Sequence, residues 1–308
     1  MTTPAATFPL EEYDALRSGF GVVELVDWSS VTLTGADRQA FLNNFCTNDV
    51  KRLGPGEQCE AFITNVKGKI LGHGLVHCRD DELVFITVPE QAAKIIEHLD
   101  RYIIREDVQL RDTTAERAYL LIAGGEAAGK GLTQEPWIHW RLLNVPFCGL
   151  LEAKPDMLSQ VRQELTADGA TPCGGAAFDA LRIESGSPLF GIDFDEENLP
   201  QEVGRDELAI SFTKGCYLGQ ETVARIDALG HVNEQLAGVR FAGPNVPEPN
   251  MELTSDGKPA GHVTSASFSP QCGAPLALAM VRRRWLAPGS QLESAVGSCE
   301  VIELPVHQ

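Results

Sequence analysis

The chain contains one stretch in which a thiol, a lysine and two glycines lie close together, Lys214-Gly215-Cys216-Tyr217-Leu218-Gly219-Gln220-Glu221. The glycines suit a tight turn, and the residues after Gly219 are compatible with a helix. A cysteine at the mouth of a helix and beside a lysine is favoured as the thiolate, the form that attacks electrophiles and binds metal ions. Two interpretations follow: a reactive Cys216 assisted by Lys214, or a turn that merely contains a cysteine.

The eight cysteines of the chain are scattered, at positions 46, 59, 78, 148, 173, 216, 272 and 299. The two nearest lie 13 positions apart and none form a Cys-x-x-Cys pair, which argues against a zinc knuckle or a ferredoxin-type cluster site. A disulfide framework is not expected in a chain of this size without an export signal. We therefore assign no metal site and expect most of the thiols to be small core residues.

The composition is that of a globular protein with an acidic surface. The chain has 308 residues, 43% of them hydrophobic, and a net charge of −18, which opposes general binding to nucleic acid. No apolar run approaches the ~20 residues needed to cross a bilayer. Residues 1–13 contain neither a basic residue nor an apolar core, so they resemble neither a signal peptide nor a transit peptide, and we expect a cytoplasmic protein.

Strands and helices are mixed without strict alternation in the first part of the chain, which favours an α+β fold. The predicted strands cover residues 22–26, 31–33, 59–64, 70–78, 82–88 and 118–123. The predicted helices cover residues 36–45, a segment opened by Pro89, and residues 155–167 and 175–184. After Arg225 short strands alternate with Gly and Pro, at residues 239–241, 262–265, 276–282 and 291–293. We interpret residues 235–308 as a small antiparallel β-barrel domain and residues 1–234 as the core before it.

The motif at 214–221, followed by Ala224-Arg225, resembles the signature of the YgfZ folate-binding family, whose members are relatives of the glycine-cleavage aminomethyltransferase, or T-protein. Further blocks agree in the same order along nearly the whole chain, at residues 47–50, 65–69, 181–186, 199–202, 261–265 and 269–270. The resemblance implies the T-protein fold, with two interleaved N-terminal α/β subdomains and a C-terminal antiparallel β-barrel. It also implies that tetrahydrofolate is bound between those two subdomains.

The resemblance assigns folate-binding residues on this sequence. Glu184 and Glu202 match carboxylates of the T-protein folate pocket, and a carboxylate can accept both the amino group and the ring N–H of a pterin. The remaining candidates are polar residues that could bind folate or could equally order turns and face solvent: Asn48, Asp49, Asn65, Lys67, Lys69 and Arg225.

The sequence departs from the T-protein pattern at a catalytic position. In true aminomethyltransferases an aspartate follows the Asn-x-x-Gly turn and assists attack on the folate-bound carbon, whereas this chain has Leu71, Gly72 and His73 there. His73 could shuttle a proton near neutral pH, but a lone histidine in a strand is more often a packing residue. Phe190 also replaces a tyrosine of the family. The sequence therefore argues against aminomethyl transfer but not against folate binding, and it leaves open whether the chain is an enzyme.

The function that the resemblance implies is support of the assembly or repair of iron–sulfur enzymes, including enzymes that thiolate tRNA. Folate and iron–sulfur proteins or cluster carriers would be the partners, Cys216 the reactive thiol, and Lys214 the cation that holds it ionised. One alternative is a folate-dependent aminomethyltransferase or demethylase, which turnover of an aminomethyl donor would reveal. The other is a non-catalytic adaptor, which would form a stoichiometric complex that needs neither folate nor the thiol.

Overall fold

Two five-stranded sheets form the N-terminal part of the molecule, seen here in a computed structural model that describes residues 8–126, 128 and 137–306. Residues 1–7 of the N-terminal segment and residues 307–308 of the predicted barrel domain lie outside the described residues. The strands of the two sheets are β1 Phe20–Leu25, β2 Ser29–Thr34, β3 Gln58–Thr64, β4 Ile70–Cys78, β5 Glu82–Thr87, β6 Gln109–Asp112, β7 Ala118–Gly124, β8 Trp137–His139, β9 Phe147–Ala153 and β10 Thr171–Cys173.

The helices surround these sheets. They are α1 Leu10–Arg17, α2 Arg38–Asn43, α3 Ala92–Asp100, α4 Leu158–Ala167, α5 Gly175–Glu184, α6 Asp206–Ala209 and α7 Gln220–Leu229. Single 3-10 turns occur at Val50–Arg52, Thr114–Glu116, Pro200–Glu202 and Arg283–Trp285.

The chain passes back and forth between the two sheets. The first sheet has the strand order β3-β4-β5-β2-β6, and the second has the order β10-β1-β7-β9-β8. The consecutive strands β1 and β2 therefore lie in different sheets, and so do β6 and β7. This strand connectivity confirms the predicted α+β fold with two N-terminal subdomains.

The two sheets share one hydrophobic core. Phe62 and Leu75 of the first sheet pack in the same cluster as Tyr119 and Leu121 of the second. The opposite face of the first sheet is covered by α2 and α3, where Val76 is buried. Because β4 is covered on both faces, its sequence has no need to alternate, which explains the imperfect pattern of residues 70–78.

The helix predicted from Pro89 begins three residues later. Pro89 and Glu90 form a turn, and Glu90 has a positive φ of 65°, so α3 starts at Ala92 with Gln91 at its N-cap. One face of α3 is buried, at Ala92, Ile95 and Leu99, as the helical period requires of a helix that packs on a sheet.

The C-terminal strands close into a six-stranded barrel with the order β11-β14-β13-β12-β15-β16. Its strands are β11 Glu234–Phe241, β12 Glu252–Ser255, β13 Lys258–Ser269, β14 Ala274–Arg282, β15 Gln291–Ser294 and β16 Gly297–Ile302. The four predicted strands all lie in it, whereas β12 and β16 were not predicted. The sequence of β12 is mostly polar, and β16 has only three apolar residues after a Gly-Ser pair. All neighbouring strands are antiparallel, as the short Gly- and Pro-separated pattern predicts.

A buried carboxylate fastens the barrel to the core. Asp193 accepts hydrogen bonds from Thr264 Oγ1 at 2.7 Å and Ser265 Oγ at 2.6 Å on β13. Its other oxygen accepts from Arg182 Nη1 at 2.8 Å on α5, and the side chain of Arg182 is only 2% exposed. The charge of Arg182 is therefore balanced deep between α5 and the barrel.

We expect Asp193→Asn to lower the free energy of unfolding by about 3–5 kcal/mol, because it leaves the buried guanidinium of Arg182 without its internal charge partner. Urea denaturation, monitored by tryptophan fluorescence, measures this change in the free energy of unfolding. The matched control is Asp179→Asn, which removes the half-exposed partner of the same arginine and should cost no more than about 1 kcal/mol. Equal, small losses in both variants would contradict this account.

Candidate functional site

The motif loop, residues 211–219, connects α6 to α7 and is fixed to two distant segments. The N–H of Leu218 donates to the carbonyl of Asn44, just after α2, at 2.8 Å. The carbonyl of Leu218 accepts from Thr64 Oγ1, at the end of β3, at 2.6 Å. Segments far apart in the sequence therefore meet at this loop.

Lys214 is buried, and its ammonium group is bound by backbone carbonyls. Its Nζ donates to the carbonyl oxygens of Asn43 at 2.7 Å, Cys46 at 2.8 Å and Asn48 at 2.6 Å. An ammonium group carries three protons, so these three carbonyls use all of them. Burial lowers the pKa of Lys214. Lys214 therefore fixes the motif loop to the end of α2, where a cation is favoured, and its predicted assistance to Cys216 stays a prediction.

Two glycines allow the motif loop to dock on the β3–β4 turn. Gly219 has a φ of 85°, and a Cβ there would come within 2.5 Å of the carbonyl oxygen of Asn65 and 2.7 Å of Gly68 Cα. The side chain of Asn65 is used inside this turn, where Oδ1 accepts from the N–H of Lys67 at 2.9 Å and of Lys69 at 3.1 Å. Asn65, predicted as a folate-binding residue, thus shapes the surface against which Gly219 packs.

Cys216 is exposed at the tip of this pinned loop. All eight cysteines lie in the described part of the chain, and Cys216 alone among them is exposed. Its neighbour Tyr217 is buried, with its ring 5.1 Å from Nζ of Lys214. The loop therefore presents one thiol to solvent from a backbone that is anchored on both sides.

Five of the other seven thiols are poorly suited to reaction. Burial raises the pKa of Cys148 and Cys299 to about 12 and that of Cys173 to about 11. Burial also raises the pKa of Cys46 and Cys78. Because the thiolate is the nucleophile, these side chains are inert near neutral pH.

Helix α7 buries one face and exposes the other. Val223 and Ile226 are buried, and Gln201 Nε2 donates to the carbonyl of Val223 at 2.7 Å. Arg225, predicted as a possible folate ligand, lies on the exposed face. The structure therefore places Arg225 toward solvent and brings the block at residues 199–202 against α7.

A cleft of about 1220 Å³ lies between the core and the barrel. Its wall includes the start of β3, residues 139–148, residues 185–188 and 203–208, the first residues of β11 and residues 302–305. Aromatic, charged and apolar side chains alternate along it, among them Trp140, Arg141 and Phe147.

Glu184 and Glu202 do not line this cleft among the described residues. Glu184 ends α5 and accepts hydrogen bonds from Tyr13 Oη at 2.6 Å and from Ser269 Oγ, so it joins α1 to the barrel. Glu202 accepts from the N–H of Leu199 at 2.9 Å and caps a 3-10 turn. Both carboxylates accept hydrogen bonds from the protein itself, and their role as pterin acceptors stays a prediction.

Glu60 is the buried acid of the cleft, and sequence reasoning missed it. Its Oε1 accepts from Arg205 Nε at 2.8 Å and His73 Nε2 at 2.8 Å, and its Oε2 accepts from Arg205 Nη2 at 2.6 Å and Trp140 Nε1 at 3.0 Å. Burial alone would raise the pKa of Glu60, but the charge and hydrogen bonds of Arg205 outweigh it and hold that pKa well below the usual range. The sequence signal for Glu60 is its charge inside the otherwise apolar strand predicted at residues 59–64.

Two family models match the chain. The GCVT N-terminal domain matches residues 3–133, and the glycine cleavage T-protein C-terminal barrel domain matches residues 235–307. The chain belongs to the T-protein superfamily. This result confirms the T-protein relationship that the motifs indicated, at the level of the superfamily.

Relatives and a solved structure agree with this T-protein assignment. An aminomethyltransferase of Nostoc sp. (strain PCC 7120) is 28% identical and covers 92% of this chain and 82% of its own length. An aminomethyltransferase of Synechococcus sp. (strain RCC307) is 27% identical over 92% of this chain and 85% of its own. The crystal structure of glycine cleavage system aminomethyltransferase T from Bartonella henselae superposes with a TM-score of 0.84 at 18% identity, over 98% and 94% of the two chains. The fold is therefore the T-protein fold.

The position of the missing T-protein aspartate is filled by packing residues. Gly72 lies against Ile95, and a Cβ on it would be 3.1 Å from Ile95 Cδ1. His73 is buried, stacks on Phe62 with ring centroids 4.6 Å apart, and donates to Glu60. His73 thus belongs to the Glu60 cluster, which consists of Glu60, His73, Trp140 and Arg205. No carboxylate is carried at residues 71–73.

Residues 8–126, 128 and 137–306 contain no group of three or more His, Cys, Asp or Glu placed to hold a metal ion. None of the helices within these ranges is long and apolar enough to span a bilayer.

We expect Glu60→Gln to lower the free energy of unfolding by about 3–5 kcal/mol, because Arg205 loses its buried charge partner. The folded pKa of Glu60 lies below its ordinary value of 4.5, so its contribution is complete above about pH 4.5 and is lost as the pH falls further. The variant should therefore lose stability less steeply than the wild type in acid.

Urea denaturation between pH 3 and pH 7 measures both effects. Glu116→Gln is the matched control, since it removes an exposed acid paired with Arg111 and should cost at most about 1 kcal/mol at any pH. An unchanged acid slope in Glu60→Gln would mean that the cluster does not govern acid stability.

Proposed function

We propose that the chain supports the assembly or repair of iron–sulfur enzymes through the thiol of Cys216 and binds tetrahydrofolate in the cleft. The observation that carries this proposal is the exposed Cys216 on a loop whose flanking residues are buried or hydrogen-bonded. A cysteine with only a structural role needs neither exposure to solvent nor an anchored loop. A thiol that meets a partner protein or its metal cargo must be accessible and must keep its position.

The cleft fits a folate. Its volume of about 1220 Å³ exceeds the roughly 300–1000 Å³ typical of small-molecule sites, so a pterin and its tail can be accommodated. Trp140 and Phe147 offer aromatic surfaces, and Arg141 offers a cation for an anionic tail. The folate would supply a carrier for one-carbon groups, and the residues of the cleft would bind and orient it.

The relatives named aminomethyltransferase favour the alternative, a folate-dependent aminomethyl transfer. The contacts of His73 and Glu60 oppose it, because neither is free to act as the acid or base that the missing aspartate would provide. Formation of methylenetetrahydrofolate from a lipoyl-bound aminomethyl donor would favour the alternative over our proposal.

We expect Cys216→Ser to stay folded, because the exposed thiol contributes little to packing, and yet to fail to sustain iron–sulfur enzyme activity in cells that lack the native protein. Serine keeps the approximate size but removes the nucleophilic, metal-binding sulfur. Activity of a cluster-dependent enzyme in such cells, with melting temperature as a check on folding, measures this.

The matched control is Cys272→Ser, which makes the same change at a partly covered thiol near the barrel and should rescue activity fully. Full rescue by Cys216→Ser would show that the thiol is dispensable. The non-catalytic adaptor, recognised by its surface alone, would then be the better account.

A further inference from the structure

The surface around Cys216 exposes large apolar side chains. Of the eight large hydrophobic residues that are exposed in the described ranges, Phe212 and Val66 lie on segments that meet at the motif loop. Phe212 belongs to the loop itself, and Val66 is in the β3–β4 turn, on which Gly219 packs. Because exposed apolar groups beside an accessible thiol offer contact area to a second protein, this surface favours a macromolecular partner.

Two exposed lysines lie on the segments that hold the motif loop. Lys51 is in the 3-10 turn that begins two residues after Asn48, whose carbonyl accepts from Lys214. Lys67 is in the β3–β4 turn, which packs on Gly219. Neither lysine side chain donates a hydrogen bond or forms an ion pair within the described residues, so both charges are open to a partner.

Arg225 adds a third exposed cation, on α7. It lies three residues after Thr222, nearly one helical turn, so the two side chains share one side of the helix. Thr222 lies against the β3–β4 turn, because a Cβ on Gly68 would be 2.9 Å from the Cβ of Thr222. The guanidinium of Arg225 forms no hydrogen bond or ion pair in the part of the chain that the structure describes.

The segments that meet at the motif loop are positively charged in an acidic chain. Residues 47–52, 65–69 and 211–225 hold six basic and two acidic residues, a net charge of +4. The whole chain has a net charge of −18, so the remaining residues carry −22, which is −18 less +4. The positive charge is therefore local, and screening confines its effect to about 8 Å at physiological salt, where it acts on what binds beside Cys216.

Part of this positive charge is neutralised within the protein. Arg52 is paired with Asp49, and Lys69 donates to a carbonyl in the acidic segment 195–197, which borders the surface on that side. On the three segments as described, the two lysines and the arginine discussed above remain exposed without an ion pair, against the exposed acid Glu221. The surface around the thiol is therefore cationic.

We propose that this surface binds an acidic surface of a partner protein. We call it the docking face and define it by six residues: Lys51, Val66, Lys67, Phe212, Cys216 and Arg225. The inference rests on the proposed function and deepens it, because it states the chemistry of the protein that Cys216 meets.

Opposite charges speed the encounter of two proteins and fix their relative orientation, while Phe212 and Val66 supply apolar contact. A small anion would leave these apolar side chains unused. A nucleic acid would be repelled by the acidic remainder of the chain.

The test uses two short peptides, Glu-Glu-Leu-Cys-Leu-Glu-Glu and Lys-Lys-Leu-Cys-Leu-Lys-Lys, each activated as a mixed disulfide with thiopyridine. The thiolate of Cys216 attacks the cysteine sulfur of the peptide, the new disulfide joins the two chains, and thiopyridone leaves. Its absorbance gives the rate, and peptide mapping verifies that Cys216 has reacted. We expect the acidic peptide to react about tenfold faster than the basic one at ~0.02 M salt, and about twofold faster at ~0.5 M salt, because salt screens the attraction.

Two double variants separate a local effect from one of net charge. Lys51→Glu/Lys67→Glu should abolish the preference for the acidic peptide, because it replaces two cations of the docking face by acids. Lys154→Glu/Lys258→Glu is the matched control, with the same change in net charge at exposed lysines just after β9 and at the start of β13, and should keep the preference. The melting temperatures of both variants check folding.

Phe212→Ser tests the apolar part of the docking face. We expect it to slow the reaction with both peptides about threefold, since their leucines lose an apolar contact, and to leave the rate with the small neutral reagent dithiodipyridine unchanged. An equal preference for a small dianionic disulfide, together with no effect of Phe212→Ser, would overturn docking of a protein in favour of a simple anion site.

The remaining outcomes concern the charge. Equal rates for the two peptides, or loss of the preference in both double variants alike, would overturn the docking face. These rates do not depend on iron–sulfur enzyme activity, so rescue of cells by Cys216→Ser would overturn the proposed function while leaving the measured preference intact.

Discussion

The buried ammonium of Lys214 is the constraint on which the presentation of Cys216 depends. Three backbone carbonyls, from Asn43, Cys46 and Asn48, converge on it within 2.8 Å. Each carbonyl left without a partner would cost about 1–3 kcal/mol, so the ammonium holds the motif loop firmly. Gly219 completes the attachment, since no other residue could approach the β3–β4 turn so closely. A lysine beside a cysteine therefore serves here as an anchor.

The motif loop also links the thiol to the cleft. Helix α6 carries Asp206 on the cleft wall, and the loop that begins at residue 211 presents Cys216. Among the described residues Cys216 does not line the cleft, so the cleft and the thiol lie on different surfaces of one continuous segment. The Glu60 cluster holds Arg205 immediately before α6, which fixes that segment at its other end.

The sequence predicts elements well where the pattern is local. The helix at 175–184 has the predicted bounds, and the barrel strands follow from Gly- and Pro-separated apolar runs. The helix predicted to open at Pro89 begins later, because the positive φ of Glu90 makes a turn that helix propensity does not reveal. Side-chain roles were predicted less well, because they depend on residues far apart in the chain. Glu60 meets Arg205 across 145 positions, and Glu184 meets Tyr13 across 171.

We propose that the fold presents Cys216 as its one reactive thiol. Brief alkylation at neutral pH, followed by peptide mapping, measures the relative reactivity of the eight thiols. Exposure favours Cys216, whereas burial raises the pKa of thiols such as Cys148 and Cys173 and shields them. The account predicts that the peptide containing Cys216 is labelled first among the eight. Faster labelling of Cys272 or of any core thiol in the folded protein would contradict it.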